Sequence, residues 1–388
     1  MSSKGNHVGF VTLHRAGSGG SEMLWSQAAH HLKSKGFQIT VFHHVKPGVQ
    51  NGLRLWENVA TSVNCLSSRK GFTRRLFEAC RRMVANSELE TKFHAALRRL
   101  QPGFVMINCG GHLAGSDLAE VCRSLNQPYG LIVQLASNME WPSDSCRERY
   151  KSMYLNSVLN VFVSRQNLEA VETMLGLRLN NGIIIRNPCL LATEHHSLPW
   201  PDKASPVRMA LPARLDIQDK GHDVLLHVLA QPKWLAREWT LNLYGQGRHE
   251  QGIRDLVCLL GLKHRVHFCG HVADLADIWQ KNHLLVMPSR AEGLPLALIE
   301  AMHAGRPSVV TDVGGNCELV IEGETGFVAE APVVASISDA LERAWSAQNQ
   351  WPEIGQQAWK KVRELWQKDP AEELAGRIKG VLAEVPQK

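Results

Sequence analysis

The stretch LLVMPSRAEGLPLALIEAMHAGRPSVVTD (284–312) decides the fold. LLVMP (284–288) and PSVVTD (307–312) are short apolar runs of strand type, and a helical stretch lies between them. Pro295 suits the first helical position, where a missing N–H costs nothing, and Gly305 ends the helix. Strand, helix and strand at this spacing predict a parallel sheet with helices on both faces. Two acids stand out in the unit. Glu292 sits in the polar turn, whereas Glu300 lies on an otherwise apolar helix and shares a face with Leu296, Ala297, His303 and Ala304. An unpaired buried carboxylate is costly, so Glu300 needs donors. The two neighbouring hydroxyls of a ribose would supply them, and so would a structural Arg or Lys.

The same alternation extends in both directions. Upstream of this unit come VRMALPAR, a helix from about 221 to 230, TLNLYG (240–245), a helix across about 248–261, RVHFCG (265–270) and a helix over 274–281. The stretch CLLATEHHSLPWPDKASP (189–206), with Pro199, Pro201 and Pro206 and no period, reads as a linker. Before it, HVGFVTL (7–13), FQITVFHH (37–44), FVMIN (104–108), YGLIVQLA (129–136), VLNVFVS (158–164) and IIIRNP (183–188) alternate with helical stretches. Two α/β domains of similar size follow from this pattern. After about 332 the chain reads as helical, with Trp345, Trp351, Trp359 and Trp366 as core anchors.

Composition narrows the function classes. The 388 residues are 44% hydrophobic and 21% charged, with a formal charge of +6. That mild excess suits an anionic ligand or a membrane surface but is too weak for nucleic acid. Nine scattered cysteines without a CxxC pattern point to a reducing compartment, and the expected location is the cytoplasm. The apolar run at the N-terminus is too short for a signal peptide core, and no run reaches the length of a membrane span.

In open parallel sheets, ligands bind outside the C-terminal ends of the strands. Four stretches fall there. RAGSGGSE (15–22) follows the first strand, with Ser21 placed to cap the next helix and Glu22 in its first turn. Its glycines admit a ligand close to the backbone, but it lacks the last glycine of G-x-G-x-x-G, which disfavours a dinucleotide. ARLDIQDKGHDVLL (213–226) carries Arg214 and Lys220, two cations suited to a diphosphate. The turn at Glu292 places the N–H groups of Gly293 and Leu294 beyond Pro288. Finally, TDVGGNCE (311–318) sets Gly314 and Gly315 before a short helix near Asn316.

The motifs R-L-x4-K-G (214–221), E-G-L-P-L-A-L-I-E-A-M-x-A-G-R-P-x-V-x-T-D-V-G-G (292–315) and E-L-V-x-x-G-x-T-G-F (318–327) resemble those of the retaining glycosyltransferases of family 4. The resemblance spans about 205–330; in the first half it rests on the G-G-x-E turn (19–22) and the alternation. It implies a GT-B architecture, with two facing Rossmann-like domains and an active-site cleft between them. The first domain, 1–195, would bind the acceptor and be completed by a C-terminal helix at about 370–388. The second, 205–365, would bind a nucleotide sugar linked to UDP or GDP. Glu300 matches the acid that holds the ribose hydroxyls, and Glu292 the acid beside the donor sugar. Arg214 and Lys220 match the pair gripping the diphosphate, Gly293 and Leu294 the backbone amides near phosphate and sugar, and Gly19 and Gly20 the first-domain glycine turn. The implied reaction transfers the sugar with retention to a hydroxyl of a glycan, glycolipid or lipid-linked acceptor. The resemblance implies no cofactor and no metal, the cations playing a metal's part. A non-catalytic nucleotide-sugar-binding protein, or a phosphorylase or epimerase on the same fold, is the alternative.

One departure from the family concerns the donor sugar. Many relatives carry a His after the fifth strand, where this chain reads VQLASNMEWPSD (133–144), with Ala136 or Ser137 at the corresponding place. Asn138, Glu140, Trp141 and His112 are the candidate substitutes. A last feature is the basic stretch 69–82, where Arg69, Lys70, Arg74, Arg75, Arg81 and Arg82 face only Glu78 and interleave with Phe72, Leu76 and Met83. It suits either a solvated helix face or an anionic membrane surface, which would make the protein peripheral.

Overall fold

The computed structural model describes residues 6–13, 20–43, 59–66, 78–189, 191, 197–202 and 206–384. The chain divides into two units. Unit 1 comprises Met1–Pro188 with Lys368–Lys388, and unit 2 comprises Cys189–Gln367. Each is a Rossmann-like domain built on one parallel sheet between helices, the pair being typical of the GT-B fold.

The sheet of unit 1 contains β1 (His7–Thr12), β2 (Gln38–His43), β3 (Ser62–Cys65), β4 (Phe104–Cys109), β5 (Tyr129–Val133), β6 (Leu159–Phe162) and β7 (Gly182–Ile184). Their order is β3-β2-β1-β4-β5-β6-β7 and every pairing is parallel. All residues of β1, β4, β5 and β6 are buried, as expected for strands covered on both faces. The strand order reverses between β1 and β4, which opens a crevice at their C-terminal ends.

Two elements of this unit were not anticipated. The strand β3 (SVNC) is short and half polar. The helix Asp144–Leu155 buries only Met153 and Tyr154, so it has no apolar stripe for a sequence reading to find. The C-terminal helix Pro370–Glu384 lies on the helix Met23–Ser34. Ala371, Leu374, Ala375, Ile378 and Leu382 join Leu24, Trp25, Ala28 and Ala29 in one core. Small residues on both helices permit the close approach, and His31 meets Asp369 at 2.7 Å on its rim.

Unit 2 contains β8 (Val207–Pro212), β9 (Trp239–Tyr244), β10 (Val266–Gly270), β11 (Leu284–Met287), β12 (Ser308–Thr311) and β13 (Phe327–Ala329). Their order is β10-β9-β8-β11-β12-β13, again all parallel, with the reversal between β8 and β11. The quoted stretch is β11, the helix Leu296–His303 and β12, as its pattern predicts. Pro295 stands one position earlier than expected: it is the N-cap, with extended backbone, and its carbonyl accepts from the N–H of Leu298 and Ile299. The helix ends at Gly305 (φ +72°), against which Gly355 of the helix Trp351–Leu365 packs so tightly that a Cβ there would lie 2.0 Å from the Gly305 carbonyl oxygen. This contact fixes the helix that carries Glu300. Of the four tryptophans expected as anchors, Trp351 is fully buried and donates to the Ala344 carbonyl; Trp345, Trp359 and Trp366 are half-buried.

Candidate active site

The reversal in unit 2 brings the loops after β8 and β11 together. After β8 the chain passes Arg214 and forms the short helix Ile217–Lys220, capped by Asp216, whose side chain accepts from the Gln218 N–H. Burial works against the charge on Asp216, but the Arg248 guanidinium, the Gln218 N–H and Arg214 outweigh it and hold the carboxyl below its usual range. Gly221 then turns with φ +64°, and a Cβ there would lie 2.1 Å from the Pro288 carbonyl oxygen. Only glycine lets the two loops meet backbone to backbone here. Arg290 extends the seam: its guanidinium grips both Asp223 oxygens at 2.8 Å and the Ile217 carbonyl, while its N–H donates to the Asp219 carbonyl.

That seam places Lys220 Nζ 2.7 Å from Glu292 Oε1, with the two side chains only 16% and 7% exposed. Ser289 Oγ donates to the same oxygen at 2.7 Å, and Thr311 Oγ1 donates to the Ser289 carbonyl. Gly314 (φ +55°) and Gly315 close over the turn: a Cβ on Gly314 would be 2.2 Å from the Glu292 carbonyl oxygen, and the Gly315 N–H donates to the Gly293 carbonyl. Among the described residues, the N–H groups of Gly293 and Leu294 donate to no backbone carbonyl. Arg214 is 62% exposed and pairs with Asp219 at 3.0 Å. Both cations are thus neutralised by acids of their own unit.

Glu300 differs from all of these. It is 6% exposed, and among the described residues no side chain or backbone group donates to its carboxylate. Burial alone pushes its pKa up to about 7. Of the two donor sources the sequence leaves open, the structural Arg or Lys is not present among the described residues. One further buried group was not anticipated. His222, 1% exposed beside Lys220, is kept neutral by burial and by that neighbouring cation, with its pKa lowered to about 4. Ser289, Arg290, Asp219 and Asp223 were also missed. Polar residues straight after apolar strands were the available signal for Ser289 and Arg290.

The reversal in unit 1 is built differently. Gly20–Glu22 form a 3-10 turn after β1, and the helix begins at Met23, so Ser21 does not cap it. Instead Glu22 turns inward and is 4% exposed. It accepts from Trp25 Nε1 at 2.8 Å and from Asn108 Nδ2 at 3.0 Å, and the Asn108 amide also reaches the Ser21 carbonyl. Burial raises the Glu22 pKa, and these donors oppose the rise. The carboxylate ties the turn to β4, across the reversal. Gly20 lies in this turn; Gly19 falls outside the described residues.

Of the substitutes for the missing histidine, His112 is 2% exposed and both ring nitrogens are engaged. Nδ1 accepts from the Ser137 N–H at 3.4 Å and Nε2 meets the Glu140 carbonyl at 3.0 Å. It braces the loop after β5, on which Asn138, Glu140 and Trp141 are exposed. In the basic stretch, 69–77 lies outside the described residues, and 78–82 begins the helix Glu78–Leu100. Among the described residues, no helix is long and apolar enough to cross a membrane, and no group of three His, Cys, Asp or Glu side chains is placed to hold a metal ion.

Comparison with known proteins bears on the two units unequally. Residues 207–347 match the family model Glycosyl transferases group 1. The chain is 34% identical over 130 residues to the lipopolysaccharide core biosynthesis mannosyltransferase LpcC of Rhizobium leguminosarum bv. viciae, covering 32% of this chain and 36% of LpcC. It is 31% identical over 137 residues to the exopolysaccharide phosphotransferase SCO2592 of Streptomyces coelicolor, covering 35% of this chain and 14% of that protein. The chain thus spans about a third or less of the length of these curated relatives. Structural likeness, in contrast, extends over nearly the whole chain. Anabaena Alr3699/HepE in complex with UDP superposes with a TM-score of 0.72 over 98% of this chain and 100% of that one, at 17% identity. Sucrose-phosphate synthase of Thermosynechococcus elongatus gives 0.77 over 97% and 99%, at 18% identity. These likenesses establish the fold. The whole chain thus has the GT-B fold, and within its second unit residues 207–347 match a glycosyltransferase family model.

Proposed function

We propose that the protein is a retaining glycosyltransferase of the family 4 type, taking a sugar from a UDP- or GDP-linked donor and passing it to a hydroxyl of a glycan, glycolipid or lipid-linked acceptor. The observation that carries this reading is Glu300, a buried carboxylate with no protein donor among the described residues, on the same β11–β12 segment as Glu292, the partner of Lys220. A ribose offers two hydroxyl donors to such a group, and forming those bonds recovers much of the desolvation cost. Lys220, Arg214 and the N–H groups of Gly293 and Leu294 suit the diphosphate. Because both cations rest on acids, a diphosphate would compete with Glu292 and Asp219 for them. As the leaving diphosphate gathers charge, these donors stabilise it more than they stabilise the intact donor. The acceptor hydroxyl then attacks from the face the diphosphate leaves, its proton passing to the departing phosphate oxygen. The names of the relatives, a mannosyltransferase of lipopolysaccharide core and a UDP-bound structure, support the donor class and a surface glycan as acceptor.

Titration calorimetry with UDP, GDP and their sugars tests the reading, followed by anomeric NMR of the product. Binding of one nucleoside diphosphate and a product with the donor's anomeric configuration are expected. Inversion, or indifference to both nucleotides, would refute it. The stretch 69–82 is the proposed contact with anionic membrane. Liposome co-sedimentation of wild type and the Arg74→Glu/Arg75→Glu variant tests it, with salt-sensitive binding expected for wild type alone.

A further inference from the structure

Among the large apolar side chains of unit 1, Met139 and Trp141 are the most exposed of the described residues, at 80% and 59%. Both sit on the loop after β5, at the C-terminal edge of the sheet where ligands of parallel α/β domains bind. Despite its exposure, this loop is held at several points. The Ser137 N–H donates to His112 Nδ1, and the Glu140 carbonyl meets His112 Nε2. The Met139 N–H donates to Ser137 Oγ, and the Glu140 N–H to the Ser137 carbonyl. His112 is itself fixed, since the Tyr154 hydroxyl donates to its carbonyl at 2.7 Å. Trp141 Nε1 donates to the Asn138 carbonyl at 3.0 Å, so the indole's one polar group is satisfied within the loop and its ring is held in place.

We propose that Trp141, flanked by Met139 and Glu140, is a platform for a pyranose ring. The inference deepens the proposed function, on which it rests, by assigning a sugar contact to unit 1. A fixed aromatic face fits the C–H face of a sugar, and presenting it preformed avoids the entropy of ordering a side chain on binding. The exposed Glu140 carboxylate between the two apolar groups accepts hydrogen bonds from sugar hydroxyls. The same acid, with exposed Asp144 three residues beyond Trp141, disfavours an anionic lipid surface as the occupant. The ring belongs to the acceptor or to the donor sugar; the chemistry of the contact is common to both.

Saturation-transfer NMR on the full chain tests the platform, with methyl glycosides of glucose, galactose and mannose as probes. Transfer to the ring C–H protons of at least one glycoside is expected. It should weaken about tenfold in Trp141→Ala and persist in Trp141→Phe, the scale of one lost aromatic contact. Competition assigns the ring. Displacement by a nucleotide sugar but not by its free nucleotide marks the donor's ring, absence of displacement marks the acceptor's, and either result upholds the platform. Equal transfer in wild type and Trp141→Ala overturns it, as does no transfer from any glycoside while nucleotide binds normally. Loss of binding to phosphatidylglycerol vesicles in Trp141→Ala, without glycoside binding in wild type, would make the loop a membrane contact and also overturns it. Failure of the proposed function appears separately, as a protein that binds neither UDP nor GDP.

Discussion

The two units share a topology and differ in what they place at its reversal. Between β8 and β11, unit 2 sets Lys220 against Glu292 and Arg214 against Asp219, and leaves Glu300 without a protein donor among the described residues. Between β1 and β4, unit 1 sets one acid, Glu22, whose oxygens are occupied by Trp25 and Asn108. Parallel strands that reverse order make a crevice in either case, but the side chains decide whether it is poised for an anion or sealed. Unit 2 pairs its cations with acids that a ligand anion could replace, and keeps one buried acid, Glu300, without a partner among the described residues. Unit 1 uses its polar groups to hold its own turn, and presents a ligand surface one loop further along, at Trp141.

The sharpest test of this contrast is Lys220→Ala. It removes a cation that would face the leaving diphosphate and strands the Glu292 carboxylate, which is 7% exposed. Turnover should fall about 100- to 1,000-fold, the scale for losing one preorganised donor to a developing anion. Steady-state kinetics would show a loss in kcat larger than any rise in KM; an effect on KM alone would place Lys220 outside the chemistry.

Gly221→Ala should act next most strongly, and on folding. The added Cβ would meet the Pro288 carbonyl oxygen at 2.1 Å in a left-handed turn. About 3 kcal/mol of destabilisation is expected by denaturant unfolding, because two backbones would have to separate. The counterpart in unit 1 is Gly111→Ala, whose Cβ would meet no heavy atom within 4 Å and should change stability by less than about 0.5 kcal/mol.

Glu300→Gln should weaken nucleotide binding about tenfold while leaving the diphosphate contacts intact. It carries a pH signature as well. The folded carboxyl titrates at about 7, above its ordinary value of 4.5, so the folded state holds the proton more tightly than the unfolded chain. Its stabilising contribution is complete below about pH 4.5 and is lost as pH rises to about 7. The Tm of Glu300→Gln relative to wild type should therefore increase across that window. Nucleotide affinity of wild type should rise over the same range, as the ionised form accepts the hydroxyls. A flat difference would mean that Glu300 is already ionised.

Glu22→Gln should give the smallest effect on function. It loses one acceptor among satisfied donors, costing about 1 kcal/mol of stability and leaving nucleotide affinity unchanged. A large loss of affinity instead would mean that the turn of unit 1 touches the nucleotide.

Much was legible from local pattern. Apolar runs at strand length, glycines at turns and the two acids of 284–312 depend on neighbours in the chain, and those rules act over a few residues. The short polar strand β3 and the helix Asp144–Leu155 escaped because neither carries an apolar period; their places are set by β2 and by the contact of Tyr154 with His112. Trp345, Trp359 and Trp366 looked like buried anchors, yet their burial depends on which helix face meets the core, and they end half-exposed.

By itself the sequence determined the α/β class, the position of the charged loops at strand ends and the oddity of Glu300. Only the tertiary structure decided the partners. Lys220 and Glu292, and Asp223 and Arg290, meet because β8 and β11 are neighbours in the sheet, a pairing that no local pattern encodes. It also decided that His112 braces a loop, that Glu22 is consumed within unit 1, and that Glu300 finds no donor among the described residues. The physical reason is the same throughout. A side chain's type fixes what it can bond, whereas burial and neighbours across the sheet fix which of those bonds remain to be made.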